Sequence, residues 1–259
     1  MKKINILLIL FLSAAILVLL FVGSVPGIFN LIIQNIISGT IGAIIFVNIV
    51  NRVFQIEEER RILKTQKVVI GMLIKAINEF LFFTAQQIKA ASDRWLPRNI
   101  DEMYSDESLL VIGQHLDISK DAPITLKESW RDYISRKAAD FLEAIDSALK
   151  FHSFYLSDEL ISALDRVHSS PIIYLYKIIP NLHLIDLQWK TARAPKIGLM
   201  PHNYGIFWKD IRSLIKIVET EQNKITRKEN FQSGFEIKFP GNILNPMNLT
   251  PRLGKDRIE

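Results

Sequence analysis

The first fifty residues contain two long stretches without a charged side chain, and this feature constrains the fold more than any other. The first stretch runs from Ile4 to Val22 and is almost wholly apolar. As a helix it spans roughly 28 Å, which matches the hydrocarbon core of a bilayer. The second stretch runs from Ile28 to Val50. The sequence therefore predicts two transmembrane helices, over residues 4–22 and 28–50.

Residues 23–27 separate these stretches and favour a tight turn, since they include two glycines and a proline. A signal peptide is the alternative, because Lys2 and Lys3 precede the first stretch and residues 22–24 resemble a cleavage site. The apolar region of a signal peptide is about 7 to 15 residues long. This one is longer, and a second uncharged stretch follows at once. A transmembrane hairpin is the better interpretation of residues 1–50.

The basic residues that flank the hairpin indicate its orientation. Lys2 and Lys3 precede the first span, and the connecting turn has no charge. Five basic residues follow the second span: Arg52, Arg60, Arg61, Lys64 and Lys67. Because cytoplasmic flanks are enriched in Lys and Arg, both termini are expected in the cytoplasm. The predicted location is a bacterial inner membrane, crossed twice.

The second span has a polar face. Asn35, Ser38, Gly39 and Gly42 recur three to four residues apart, so they share one side of a helix. Ser38 and Gly42 form a small-xxx-small pair that permits close approach of backbones. Three interpretations stay open: packing against the first span, self-association into a homo-oligomer, and lining of a polar pore.

No proline or glycine interrupts the chain between Val50 and Gly71, which predicts that the second span continues into the cytoplasm as one long helix. A core-facing stripe recurs every seven residues on it, at Ile56, Leu63, Ile70 and Ile77, and could couple the two parts of the chain. Residues 68–83 are also apolar. The charges of Lys75 and Glu79 in their middle favour a buried or interfacial helix over a third span.

Residues 51–222 are predicted to form an all-α cytoplasmic domain after the long helix. A short helix is expected over residues 108–116. Thr125 and Glu128 form a predicted capping box, which would begin a second helix that runs to about Phe151. Ser157 and Ser170 are expected to cap two more. The last helix is expected from about residue 204 to 222. Residues 223–259 are predicted to be a flexible basic tail, with short pairing around residues 235–239.

The distribution of charge limits the partners. The net charge is +5, and the excess lies at the two ends: Lys2, Lys3 and residues 223–259, which carry seven basic and four acidic side chains. The region between is neutral, so direct nucleic-acid binding is not expected. Basic ends suit the anionic lipid of an inner leaflet. The chain has no cysteine, which excludes disulfides and thiolate metal sites.

The sequence contains no phosphate-binding loop, nucleophile elbow or metal-binding histidine pair. Its histidines, at positions 115, 152, 168, 183 and 202, are scattered along the chain. Residues 201–205 form the most polar cluster, which is explained by a turn before the last helix. We therefore expect a protein that is not an enzyme and that needs no cofactor.

The layout of a short membrane hairpin followed by a helical cytoplasmic domain resembles that of two-transmembrane effectors of bacterial anti-phage systems, including those encoded beside retron reverse transcriptases. The resemblance implies a toxin-like effector that disrupts the inner membrane when an inhibitory protein or ribonucleoprotein partner releases it. It rests on layout and carries no residue assignments. The alternative is a membrane-tethered scaffold or sensor that binds a cytoplasmic protein.

Overall fold

The structure is a computed structural model that describes residues 27–92, 97–123, 127–181, 184, 188, 201–229 and 236–241. The predicted first span, at residues 4–22, lies outside the described residues. The chain divides into two compact units, Met1–Ile62 and Leu63–Glu259. The described residues form helices and no strand, which confirms the all-α prediction for this part of the chain.

The longest element is α1, a single helix that runs from Ile28 to Ala91 over 64 residues. Gly27 precedes it with a φ of 118°, a left-handed conformation that favours glycine. The predicted continuation of the second stretch as one long helix is confirmed, and the division between the two units falls inside it. Residues 68–83 belong to the same helix and bury one side, as Leu73, Ile77 and Phe80 illustrate.

The rest of the second unit consists of shorter helices. They are α2 (Ile100–Met103), α3 (Asp106–His115), α4 (Trp130–His152), α5 (Asp158–His168), α6 (Pro171–Ile178) and α7 (Pro201–Glu229), with 3-10 turns at Ser153–Tyr155 and Ile179–Asn181. Ser157 and Ser170 cap α5 and α6, because their hydroxyls accept from Leu160 N and Ile172 N. These two predicted caps are confirmed.

The predicted start of α4 is wrong. The helix begins at Trp130, and its cap is Ser129, whose hydroxyl accepts from the Asp132 N–H at 3.2 Å. Glu128 lies before the helix, where its carboxylate accepts from Arg136 at 2.7 Å. Its backbone carbonyl accepts from Ala122 N at 2.8 Å. These contacts of Glu128 replace the predicted capping box, and its proposed partner Thr125 lies outside the described residues.

The core of the second unit forms around the C-terminal half of α1. Phe80 stacks on Phe141 of α4 with ring centroids 4.5 Å apart and meets Phe207 of α7 edge-on at 6.2 Å. Phe83 makes edge-on contacts with Tyr133 of α4 and with Tyr176 of α6. The long helix is therefore held by aromatic side chains from three other helices, which fixes its register in the core.

Two buried polar contacts also fix α1. The Tyr133 hydroxyl donates to Gln86 Oε1 at 2.7 Å, and Thr84 lies 3.4 Å from the Tyr104 hydroxyl. Burial raises the pKa of Tyr104, so this phenol stays neutral across the physiological range. Buried polar groups must be paired to be tolerated. These contacts therefore favour one rotation of α1 over others that would bury the same apolar area.

The last helix is longer than predicted at both ends. It begins at Pro201, so the cluster at residues 201–205 is helical and is not the predicted turn. It ends at Glu229, beyond the predicted end at residue 222. Ile225 is buried, and it shares a small cavity with Ile70 and Ile74 of α1. Burial of this one side chain explains why the helix continues through a polar sequence.

The corrected start of α4 leads to a stability prediction. Ser129→Ala is expected to lower the free energy of unfolding by about 1 kcal/mol, because the N-terminal amides of α4 lose their side-chain acceptor. Ser129→Asn, which retains an acceptor, should change it little. Chemical denaturation of the full chain in detergent measures both variants. Equal stability of Ala and Asn variants would show that Ser129 does not act as the cap.

Candidate functional site

Large apolar side chains lie exposed on all sides of the N-terminal part of α1. Phe46 is 67% and Ile36 is 62% exposed. The other exposed large apolar residues of this part are Leu31, Ile45, Val47, Ile49, Val53, Phe54 and Ile56. Consecutive positions such as 45, 46 and 47 point in three directions around a helix. A helix that is apolar on all sides needs an apolar environment, either lipid or protein.

Among the described residues, one helix is long and apolar enough to cross a membrane by length and composition, within Asn35–Ala91. In its most apolar stretch of 18 residues, 61% of the residues are buried inside the protein, as expected for a helix that also forms a core. The exposed apolar residues lie nearer its N-terminus, before the exposed charged residues Glu57, Glu58 and Glu59. Residues 35–50 of this helix carry no charge and most of them are exposed, so by composition this part suits a bilayer.

Two polar side chains in this part bond to their own helix. The Thr40 hydroxyl donates to the Ile36 carbonyl at 2.7 Å, and Asn48 Nδ2 donates to the Ile44 carbonyl at 2.9 Å. Moving an amide or hydroxyl donor without a hydrogen-bond partner from water into hydrocarbon costs on the order of several kcal/mol. These backbone contacts reduce that cost, so Thr40 and Asn48 are compatible with a lipid environment.

The predicted polar face is open. Asn35, Ser38, Gly39 and Gly42 are all exposed. A Cβ built on Gly39 or Gly42 would meet nothing within 4 Å. The described part of the chain therefore places no other element on this face. Packing against residues 4–22 concerns a segment outside the described residues, and it stays a prediction together with self-association and pore lining.

The predicted coupling stripe passes from an exposed to a buried environment along α1. Ile56, in the first unit, is 43% exposed. Leu63 is partly buried against the core, and Ile70 and Ile77 are fully buried in it. The stripe thus anchors α1 in the second unit from Leu63 onward, whereas Ile56 has no core around it.

The histidines do not form a site in the described ranges, where no group of three or more His, Cys, Asp or Glu side chains could hold a metal ion. His168 Nε2 lies 2.9 Å from Asp146 Oδ1, and Lys150 lies 3.0 Å from the other carboxylate oxygen. Lys150 first, and then His168, hold the pKa of Asp146 below its usual range. This exposed cluster is explained as surface ion pairing.

Reasoning from the sequence missed the role of Asn78, a polar residue within the apolar residues 68–83. Its side-chain Nδ2 donates to the Glu236 carbonyl at 2.8 Å, and its Oδ1 accepts from the Lys238 N–H at 2.9 Å. The predicted pairing around residues 235–239 thus involves a side chain and no second strand. Ile237 and Phe239 pack against the core beside it.

No protein-family model, curated protein or solved structure matches the chain.

Proposed function

We propose that the chain is a membrane-embedded effector that perturbs the bacterial inner membrane when an inhibitory partner releases it, as in abortive-infection defence against phage. The observation that carries this proposal is the contrast along α1. Its N-terminal part exposes apolar side chains on all sides together with an open small-residue face, and its C-terminal part forms the core of a folded unit.

The open face gives the proposal a mechanism. An anchor has to be apolar only, whereas this segment places Asn35, Ser38, Gly39 and Gly42 where a second helix can approach closely. Copies that associate through this face would bring their polar side chains together inside the bilayer. Polar groups gathered there admit water and ions, which would dissipate the membrane potential.

The folded unit is the proposed site of control. Residues from Leu63 onward hold α1 in a helical core, and the same helix continues into the exposed apolar part without a break. A protein or ribonucleoprotein bound to the folded unit could therefore restrain the segment that enters the membrane. Release of this partner would be the trigger for self-association.

A membrane-tethered scaffold is the second candidate, and it is favoured by a surface groove beside Asn78 that Ile74, Phe82 and Tyr133 help to line. In this alternative the hairpin is only an anchor, and the folded unit binds a cytoplasmic protein. Induced expression with a membrane-potential dye and a growth curve distinguishes the two. An effector depolarises the cells and stops growth, with its genetic neighbours and a phage trigger supplied if required, whereas a scaffold does neither.

Both candidates assume a hairpin with both termini in the cytoplasm, and this leads to a topology prediction. A cytoplasm-active reporter fused after Glu259 should be active, and a periplasm-active reporter at the same position should be silent, because basic residues flank both ends of the hairpin. A fusion made after Pro26, in the uncharged turn, should give the opposite pattern. Periplasmic activity at Glu259 would contradict the cytoplasmic location of the folded unit.

A further inference from the structure

Asn78 on α1 holds the backbone of a distant segment at two points. The two atoms it contacts, the Glu236 carbonyl oxygen and the Lys238 amide nitrogen, flank residue 237 and lie along one edge of the segment. These are the two groups that one strand offers to a neighbour in a parallel β-sheet. A side-chain amide carries the same donor and acceptor as a peptide group. Asn78 therefore substitutes for a strand partner.

The segment also uses the alternation of an extended chain. Ile237 and Phe239 pack against the core, whereas Glu236 and Lys238 are exposed. Successive side chains of an extended chain point to opposite sides. The contacts thus use an extended backbone with two apolar side chains two positions apart, followed by the buried Pro240. A different polypeptide with this pattern could make the same contacts.

The segment is held at the surface. Both bonds to Asn78 are exposed to solvent, and Ile237 and Phe239 are only partly buried. An exposed hydrogen bond contributes about 0.5 to 1.5 kcal/mol. No ion pair adds to these contacts among the described residues, but Pro240 of the segment is buried. A competitor therefore has to replace the burial of Pro240 as well as the two bonds to Asn78.

A groove of about 600 Å³ lies beside the segment. Ile74, Phe82 and Tyr133 give it an apolar surface, and Phe82 is 44% exposed. Lys75, Glu79 and Lys137 line its charged parts, with Glu79 and Lys137 3.5 Å apart. Glu236 and Lys238 of the segment form one wall of this groove, which no residue of the described ranges fills.

We propose that Asn78 and the surface around it form a binding site for an extended polypeptide segment, that residues 236–240 occupy this site in cis, and that a partner protein binds by displacing them. The partner presents two apolar side chains two positions apart to the surface that Ile237 and Phe239 cover, and its backbone replaces the bonds that Glu236 and Lys238 make to Asn78. This site lies wholly within the second unit, so it does not depend on the proposed membrane activity.

Substitution of Lys238 in the full-length protein tests the proposal. Lys238→Pro removes the backbone N–H that donates a hydrogen bond to Asn78 Oδ1, whereas Lys238→Ala keeps this N–H. The probe is a fluorescent peptide with the sequence of residues 234–241, GFEIKFPG. We expect it to bind the Lys238→Pro protein roughly three- to tenfold more tightly than the Lys238→Ala protein, as the loss of one competing hydrogen bond predicts.

Four controls keep the result specific. Adding Asn78→Ala to Lys238→Pro should abolish the gain in peptide affinity, and circular dichroism checks that the double variant is folded. A peptide with serine at the positions of Ile237 and Phe239 should not bind. A peptide with proline at the position of Lys238 should not bind either. In the wild type, the Lys238 amide should exchange more slowly with deuterium than in Asn78→Ala.

Equal peptide affinity of the Lys238→Pro and Lys238→Ala proteins would overturn the proposal, because the cis segment would then not compete for the site. Binding that persists in the folded double variant would show that Asn78 does not recognise the backbone. A dimer that forms by exchange of this segment between two copies would identify a second copy as the occupant, and the proposed partner would be wrong.

Discussion

A Gly42→Leu protein should accumulate in the membrane fraction but no longer depolarise the cells that produce it or arrest their growth, as the wild type is expected to do. Gly42 lies on the face where nothing in the described part of the chain approaches within 4 Å of an added Cβ. Leucine therefore clashes with nothing in the described part of the chain but keeps a second helix away. A tenfold loss of the associated form corresponds to about 1.4 kcal/mol.

Insertion itself should not suffer, since leucine is favourable at the centre of a membrane helix by a few tenths of a kcal/mol. The matched control is Ile44→Leu, which changes a residue on the opposite side of the helix and should leave depolarisation and growth arrest as in the wild type. Normal depolarisation by Gly42→Leu would exclude this face from the mechanism. If the wild type never depolarises cells, even with its genetic neighbours and a phage trigger, the tethered scaffold becomes the better account.

The helices that carry a regular apolar stripe could be predicted from the sequence. In α4 the residues Phe141, Leu142 and Ile145 recur at helical spacing, and all are buried. In α7 the same holds for Phe207, Ile211 and Leu214. Local spacing is sufficient here, because the side that faces the core is set by the 3.6-residue period whatever the helix packs against.

The boundaries that were wrong depend on contacts beyond the local sequence. Thr125 and Ser129 both precede α4 in the sequence, and the local pattern of residues did not identify Ser129 as the cap. Likewise, the polar sequence after residue 222 remains helical because Ile225 reaches the core. Helix ends are decided by small differences in free energy, of about 1 kcal/mol for a cap, which tertiary contacts easily exceed.

For the candidate sites, the sequence indicates which residues share a helix face, but it does not indicate which groups contact them. The spacing of Asn35, Ser38, Gly39 and Gly42 defines a face, but what covers that face depends on another helix. The pairing of Asn78 with Glu236 joins residues 158 positions apart. No periodic pattern encodes such a contact, because a side-chain amide can bond to any extended backbone that reaches it.

Phe83→Ala should strongly destabilise the folded unit. The Phe83 side chain is fully buried, and its ring contacts Phe80, Tyr133 and Tyr176, which lie on three helices. Its removal leaves a cavity where α1, α4 and α6 meet. The expected loss is about 3 to 5 kcal/mol in the free energy of unfolding. This is a large part of the total of roughly 5 to 15 kcal/mol for a typical domain.

Phe154→Ala is the matched control, because it makes the same chemical change at a side chain that is 94% exposed. It should change the unfolding free energy by no more than about 0.5 kcal/mol. Thermal unfolding of the full chain in detergent, followed by circular dichroism, measures both variants. A loss of 3 to 5 kcal/mol corresponds to roughly 6 to 20 °C in a domain of this size. Of the two rings, Phe83 fills space between helices and Phe154 does not. Equal melting temperatures for the two variants would therefore mean that α1 is not the centre of the core.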